Sequence, residues 1–126
     1  MSTLKIIIAG SRTITDYSHL VNAIIGAINA GVITPAHSFE VVSGGAKGVD
    51  TLARRYAGES KYPLTEMKPI YKGANDRGAP LRRNIDIANY GDVLVAVWDG
   101  SSTGTKHIIT YMEKLGKPVY VHRINN

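Results

Sequence analysis

Three short stretches rich in glycine and hydroxyl residues carry the chemistry of this sequence. They are Ala9-Gly10-Ser11-Arg12-Thr13, Ser43-Gly44-Gly45-Ala46-Lys47-Gly48-Val49-Asp50 and Asp99-Gly100-Ser101-Ser102-Thr103-Gly104-Thr105. Glycine lets backbone N–H groups approach an anion closely and permits positive φ. The second and third stretches each feed a helix start, where free N–H groups and the positive end of the helix dipole favour negative charge. Ser43, Ser101, Ser102 and Thr105 add hydroxyl donors. Arg12 closes the first stretch and Arg83-Asn84 opens a later helix. A guanidinium there can clamp a phosphate through two parallel bonds. Asp50 and Asp99 can accept from ribose hydroxyls or cap N–H groups of their own loops. Trp98 and Tyr71 can stack on a base or pack as core and rim.

Magnitudes set the size of the ligand. A helix terminus contributes about 0.3–1 kcal/mol, and up to about 2 when partly buried. Micromolar binding requires about 8 kcal/mol. Charged hydrogen bonds from Arg12 and Arg83, at about 1.5–3 kcal/mol each, and base stacking must supply the rest. A nucleotide-sized ligand is therefore expected rather than a lone phosphate. Neither glycine loop has the GxGxxG or GxxxxGK[ST] spacing, so a P-loop ATPase is not expected. His19, His37, His107 and His122 show no ligand spacing, and no metal site or cofactor is expected. The absence of cysteine excludes disulfides, thiolate metal sites and a cysteine nucleophile.

The elements that must position these loops alternate. Lys5 to Ala9 reads as a strand buried on both faces, hence parallel and central. Thr15 or Asp16 caps a helix whose apolar positions run from Tyr17 to Ile28, with Gly31 as its stop. Phe39 to Val42 is a second strand, followed by a helix with the stripe Val49, Leu52, Ala53 and Tyr56. A weak strand near Leu64–Met67 belongs at the sheet edge. Pro69 to Pro80 reads as a loop, and Leu81, Ile85 and Ala88 as the apolar stripe of the next helix. Strand Asp92–Trp98, a helix lined by Ile108, Tyr111, Met112 and Leu115, and strand Val119–Val121 complete the chain. Strands alternating with helices make parallel βαβ units with right-handed crossovers. The expected fold is α/β, a Rossmann-like three-layer sandwich of about five parallel strands with helices on both faces. In such sheets ligands sit beyond the carboxyl ends of the strands, at the switch in strand order.

The 126 residues fit a single domain, 1–126. No apolar run approaches the ~20 residues needed to span a bilayer. Leu4–Ala9 is too short for a signal-peptide core, so a cytoplasmic location is expected. The net charge of +5 is uneven. Residues 54–83 hold eight basic and three acidic side chains, while the rest of the chain balances seven against seven. That excess suggests a polyanion. Lys61, Lys68 and Lys72 flank the weak strand and are expected to face solvent, which leaves Arg83 as the one cleft-facing member of the segment.

Taken in order, the motifs resemble the SLOG superfamily, named for the DNA-processing protein A and Lonely Guy families, and within it the small stand-alone YspA-like branch. Those proteins carry AGSR, SGGAxGVDxxA, an RN pair and WDGxSxGT. The counterparts here are Ala9–Arg12, Ser43–Ala53, Arg83-Asn84 and Trp98–Thr105. Gly78–Arg82 departs from the family's AGPxRN register. The resemblance implies strand order 3-2-1-4-5 and binding of a nucleotide or nucleotide-derived signal, in a sensor or sequestering role. It implies a homo-oligomer, for which an exposed face of the second or third helix is the expected contact. It also offers two alternatives. One is a phosphoribohydrolase that cleaves the N-glycosidic bond of nucleoside 5′-monophosphates. That chemistry uses an Arg near the RN pair and a Glu in PGGxGTxxE, where this chain has Ile108. The other is single-stranded DNA binding, for which the basic segment speaks and the few aromatics do not.

Overall fold

The computed structural model describes residues 2–124. Nine elements alternate: β1 (Thr3–Gly10), α1 (Tyr17–Asn29), β2 (Ser38–Ser43), α2 (Val49–Ser60), β3 (Leu64–Glu66), α3 (Ala79–Tyr90), β4 (Val93–Trp98), α4 (Thr103–Lys114) and β5 (Val119–Arg123). All strand pairs are parallel and the sheet order is β3-β2-β1-β4-β5. The aliphatic run Ile6-Ile7-Ile8 of β1 is fully enclosed between β2 and β4. Each such side chain stabilises the fold by about 1.5–3 kcal/mol on burial. The pleat divides the run. Ile6 and Ile8 pack with α1 and α2 on one face, and Ile7 packs with α3 and α4 on the other.

The short strand β3 lies at the edge, as its weak alternation implies. β1 is longer than the aliphatic run, because exposed Thr3 and half-buried Leu4 pair with Ser38 and Phe39 ahead of it. The apolar stripe of α3 differs from the one expected. Asn84, Ile87 and Ala88 are buried, Ile85 is half-buried and Leu81 is 42% exposed. The helix is turned so that Asn84, fully hydrogen-bonded, takes the inward place Ile85 was expected to fill. It also starts inside the expected loop, at Ala79, with Pro80 in the first turn, where a fixed φ is compatible with helix. Tyr111 is half-buried and Leu115 is exposed on α4, whose inward face is instead Thr105, Ile108, Ile109 and Met112. Among the described residues no helix is long and apolar enough to cross a membrane.

Candidate functional site

β1 has β2 on one side and β4 on the other, so the loops that follow β1 and β4 part at this point of the sheet. A cleft of about 540 Å³ opens there, beyond the carboxyl ends of the strands. Gly10, Ser11 and Arg12 come from the β1 loop, and Gly44, Ala46 and Asp50 from the β2 loop and the first turn of α2. Arg83 and Asn84 come from α3, and Asp99, Ser102, Thr103, Gly104 and Thr105 from the β4 loop and the first turn of α4. The remaining expected residues lie nearby in supporting roles or in a second hollow. Gly45 and Lys47 line the adjoining hollow. Ser43 is buried, and its hydroxyl oxygen accepts from the Gly45 N–H at 3.3 Å. Gly48 packs against the backbone of Ser11 and Arg12. Gly100 lies against the Arg123 guanidinium, and Ser101 is exposed.

Arg83 is held rather than free. Its Nε donates to Asn84 Oδ1 at 3.0 Å, and its Nη1 donates to the Gly44 carbonyl at 2.8 Å and the Met67 carbonyl at 3.4 Å. That leaves Nη2 with two N–H bonds uncommitted. A Cβ at Gly44 would sit 2.5 Å from Nη1, so any side chain there would displace the guanidinium. Burial lowers the Arg83 pKa from its ordinary value; nearby Asp50 opposes that shift and Arg12 adds to it. Arg12 is exposed. Among the described residues the ion pairs are Arg54–Glu66, Arg55–Glu59 and Arg82–Asp76, and Arg12 and Arg83 belong to none of them.

Asn84 ties two helix starts together. Its Nδ2 donates to the Gly104 carbonyl at 3.2 Å and lies 3.4 Å from His107 Nδ1, while its Oδ1 accepts from Arg83. The starts of α2, α3 and α4 border the cleft, and none has a side-chain cap. α1, whose start is not part of the cleft lining, is capped by Asp16, which accepts from the Ser18 N–H at 2.9 Å. The loop amides are unequal as anion donors. Gly45 gives its N–H to Ser43, Ala46 to Asp50 at 3.1 Å and Val49 to the Ser11 carbonyl at 3.3 Å. The first-turn amides of Thr103, Gly104 and Thr105 precede the first intrahelical bond of α4, Lys106 N–H to Ser102 C=O.

Both carboxylates do loop work. Asp99 Oδ1 accepts from the Ser101 and Ser102 amides, each at 2.8 Å, and these bonds hold its pKa below the ordinary carboxylate value. Asp50 is shifted up by burial, an effect opposed by the Ala46 amide, Arg83 and Ser43. Trp98 does not face the cleft. Its ring packs with the α3–α4 core and its Nε1 donates to the Ser102 carbonyl at 3.0 Å, so it shapes the loop and offers no stacking face there.

The basic segment reaches the site more fully than its sequence suggests. Arg77 lines the cleft, and Lys68 and Tyr71 line the adjoining hollow. The local charge excess of residues 54–83 was the available signal for Arg77 and Lys68, and Tyr71 was already a candidate ring for stacking. Arg82, by contrast, faces outward and pairs with Asp76. Thr13, the last residue of the first glycine stretch, also lines the cleft, as do Pro80 and Leu81 of the α3 start. Ile108 is buried in the cleft wall.

A family model described as YAcAr, the YspA, cpYpsA-related SLOG family, matches residues 4–72. That span includes the β1 and β2 loops. The gene 61 protein of Mycobacterium phage D29 is 29% identical over 120 residues, covering 91% of this chain and 93% of its own. Among solved structures, DNA processing protein A from Helicobacter pylori superposes with a TM-score of 0.67 at 23% identity. The match covers 94% of this chain and 64% of that one, just under two thirds, and that protein is described as having a unique single-stranded DNA binding mode. The structural-genomics target TM1055 superposes with a TM-score of 0.62 at 22% identity, over 92% of this chain and 72% of that one. At these identities the two structures share the fold.

Proposed function

The chain belongs to the YspA, cpYpsA-related SLOG family, and from that premise we propose that it binds a nucleotide or nucleotide-derived ligand in the cleft between the β1, β2 and β4 loops. The carrying observation is the pair Arg12 and Arg83. Both line one cleft, neither has an ion-pair partner, and Arg83 is anchored so that Nη2 stays uncommitted. Placing two like charges together costs energy that an anion between them removes. The uncapped first turn of α4 adds N–H donors to the same space. A volume of about 540 Å³ suits a nucleoside phosphate and exceeds what inorganic phosphate needs.

Binding is favoured over hydrolysis by the carboxylates. Stabilising an oxocarbenium-like transition state requires a free one. Ile108 supplies none, and Asp50 and Asp99 are engaged with loop amides. Self-association belongs to the same reading, and α1 supports it better than α2 or α3. Val21, Ile25 and Ile28 form an exposed aliphatic stripe on a helix with no Asp, Glu, Lys or Arg. Among the described residues α2 exposes no large aliphatic and α3 exposes Leu81 alone.

A thermal-shift series with nucleosides, nucleoside mono- and diphosphates and inorganic phosphate tests the reading. A nucleotide at about one hundred times Kd adds about 2.7 kcal/mol, a rise in Tm on the order of 5–10 °C. The nucleotides are expected to raise Tm and inorganic phosphate to leave it unchanged. A flat series overturns the reading.

Single-stranded DNA binding is the second reading. It is supported by the shared fold with DNA processing protein A and by Lys68 and Lys72 flanking the exposed ring of Tyr71. It requires affinity that falls with salt by a log–log slope of about −0.7 per phosphate contacted.

A further inference from the structure

The main cleft does not end at the two arginines. A second hollow of about 420 Å³ shares Arg12, Gly44, Ala46 and Arg83 with it and continues toward Lys47, Lys68 and Tyr71. Four cations line this hollow and no carboxylate does. Glu66 lies near Gly45, but its carboxylate is paired with Arg54 at 2.9 Å. The Lys68 side chain lies across Gly45, with its Cε 3.1 Å from where a Cβ would stand, and borders the hollow. The ring of Tyr71 is 57% exposed, borders the hollow and makes no ring contact among the described residues.

Such a hollow suits a flat ring attached to further negative charge. Aromatic side chains stack bases of any identity, and clustered Lys and Arg hold the phosphates that join them. Because Arg12 and Arg83 belong to both hollows, a phosphate between them stands at a junction with an arm on each side. We propose that the ligand class is a dinucleotide, two nucleosides joined through phosphate. One nucleoside lies in the main cleft beside Asn84 and Asp99. The linking phosphate lies between Arg12 and Arg83. The second base lies on Tyr71, in the arm that Lys47 and Lys68 also line. This assignment rests on the main cleft being a nucleotide site.

The test compares AMP with the linear dinucleotide pApA by isothermal titration of the wild type, Tyr71→Ala and Tyr71→Phe. The wild type is expected to bind pApA about tenfold more tightly than AMP, the value of one stacked base. Tyr71→Ala is expected to bring that ratio to about one, and Tyr71→Phe, which keeps the ring, to preserve it. A ratio of about one in the wild type, or a ratio unmoved by Tyr71→Ala, overturns the second arm while AMP binding leaves the main cleft standing. Failure of both probes to bind overturns both. An oligo-A strand separates a free dinucleotide from a strand end. Affinity equal to that of pApA supports the dinucleotide, and tighter binding with a steeper salt dependence overturns it in favour of a strand.

Discussion

Arg83 is held in place by its own neighbours, ahead of the ligand proposed for the cleft. Three of its N–H bonds go to Asn84, Gly44 and Met67, so its position is fixed before anything binds, and the remaining two point from a planar fork. Little side-chain entropy then remains to be lost on binding. Asp76 does comparable work at the loop that precedes α3. Its carboxylate pairs with Arg82 and accepts from the Lys72 and Gly78 amides, and these bonds, the Arg82 contact first, lower its pKa to about 2. A carboxylate with a depressed pKa stabilises the folded loop fully above its unfolded value of 3.8, and that contribution is lost as pH falls toward about 2. The Lys72 and Gly78 amide resonances should therefore titrate with a midpoint near 2. A midpoint near the ordinary carboxylate value would show that the Arg82 contact does not hold in solution.

The elements explain both what the sequence discloses and what it hides. Parallel order was legible because Ile6–Ile8 and Val93–Val97 are continuous aliphatic runs, which only a strand covered on both faces uses in full. The three loops were legible for a related reason, since small residues after a buried strand and before a helix start mark the carboxyl edge. The rotation of α3 was not. Leu81, Ile85 and Ala88 keep helical spacing, and nothing in that spacing says that an amide will take the inward position. Asn84 can do so only because Arg83, Gly104 and His107 satisfy it, and those partners come together in three dimensions. The contributions of Arg77 and Lys68 were hidden in the same way, by a loop whose path over the cleft has no periodicity, whereas the ring of Tyr71 was a candidate from its type alone. Asn84→Ala should leave the Gly104 carbonyl and the Arg83 Nε without partners. Its expected cost is about 1–3 kcal/mol, read as a lower urea midpoint at unchanged m-value. A midpoint equal to the wild type would remove Asn84 as the link between α3 and α4.

At the scale of the molecule, charge and apolar surface are segregated. Lys68, Arg77 and Arg83 of the basic segment line the cleft and the adjoining hollow, whereas α1 carries no Asp, Glu, Lys or Arg of its own and exposes Val21, Ile25 and Ile28. Two copies of a chain with net charge +5 meet at least cost where neither is charged. Light scattering at tens of micromolar is expected to give a dimer for the wild type and a monomer for Ile25→Asp. A monomeric wild type would contradict self-association through α1. The cleft remains the central claim, and calorimetric titration of ADP into the wild type and Arg83→Ala tests it most directly. Saturable binding is expected in the wild type, weakened about ten- to one-hundredfold in Arg83→Ala by the loss of a charged hydrogen bond of about 1.5–3 kcal/mol. No heat of binding in the wild type, or equal affinity in the two proteins, would contradict it.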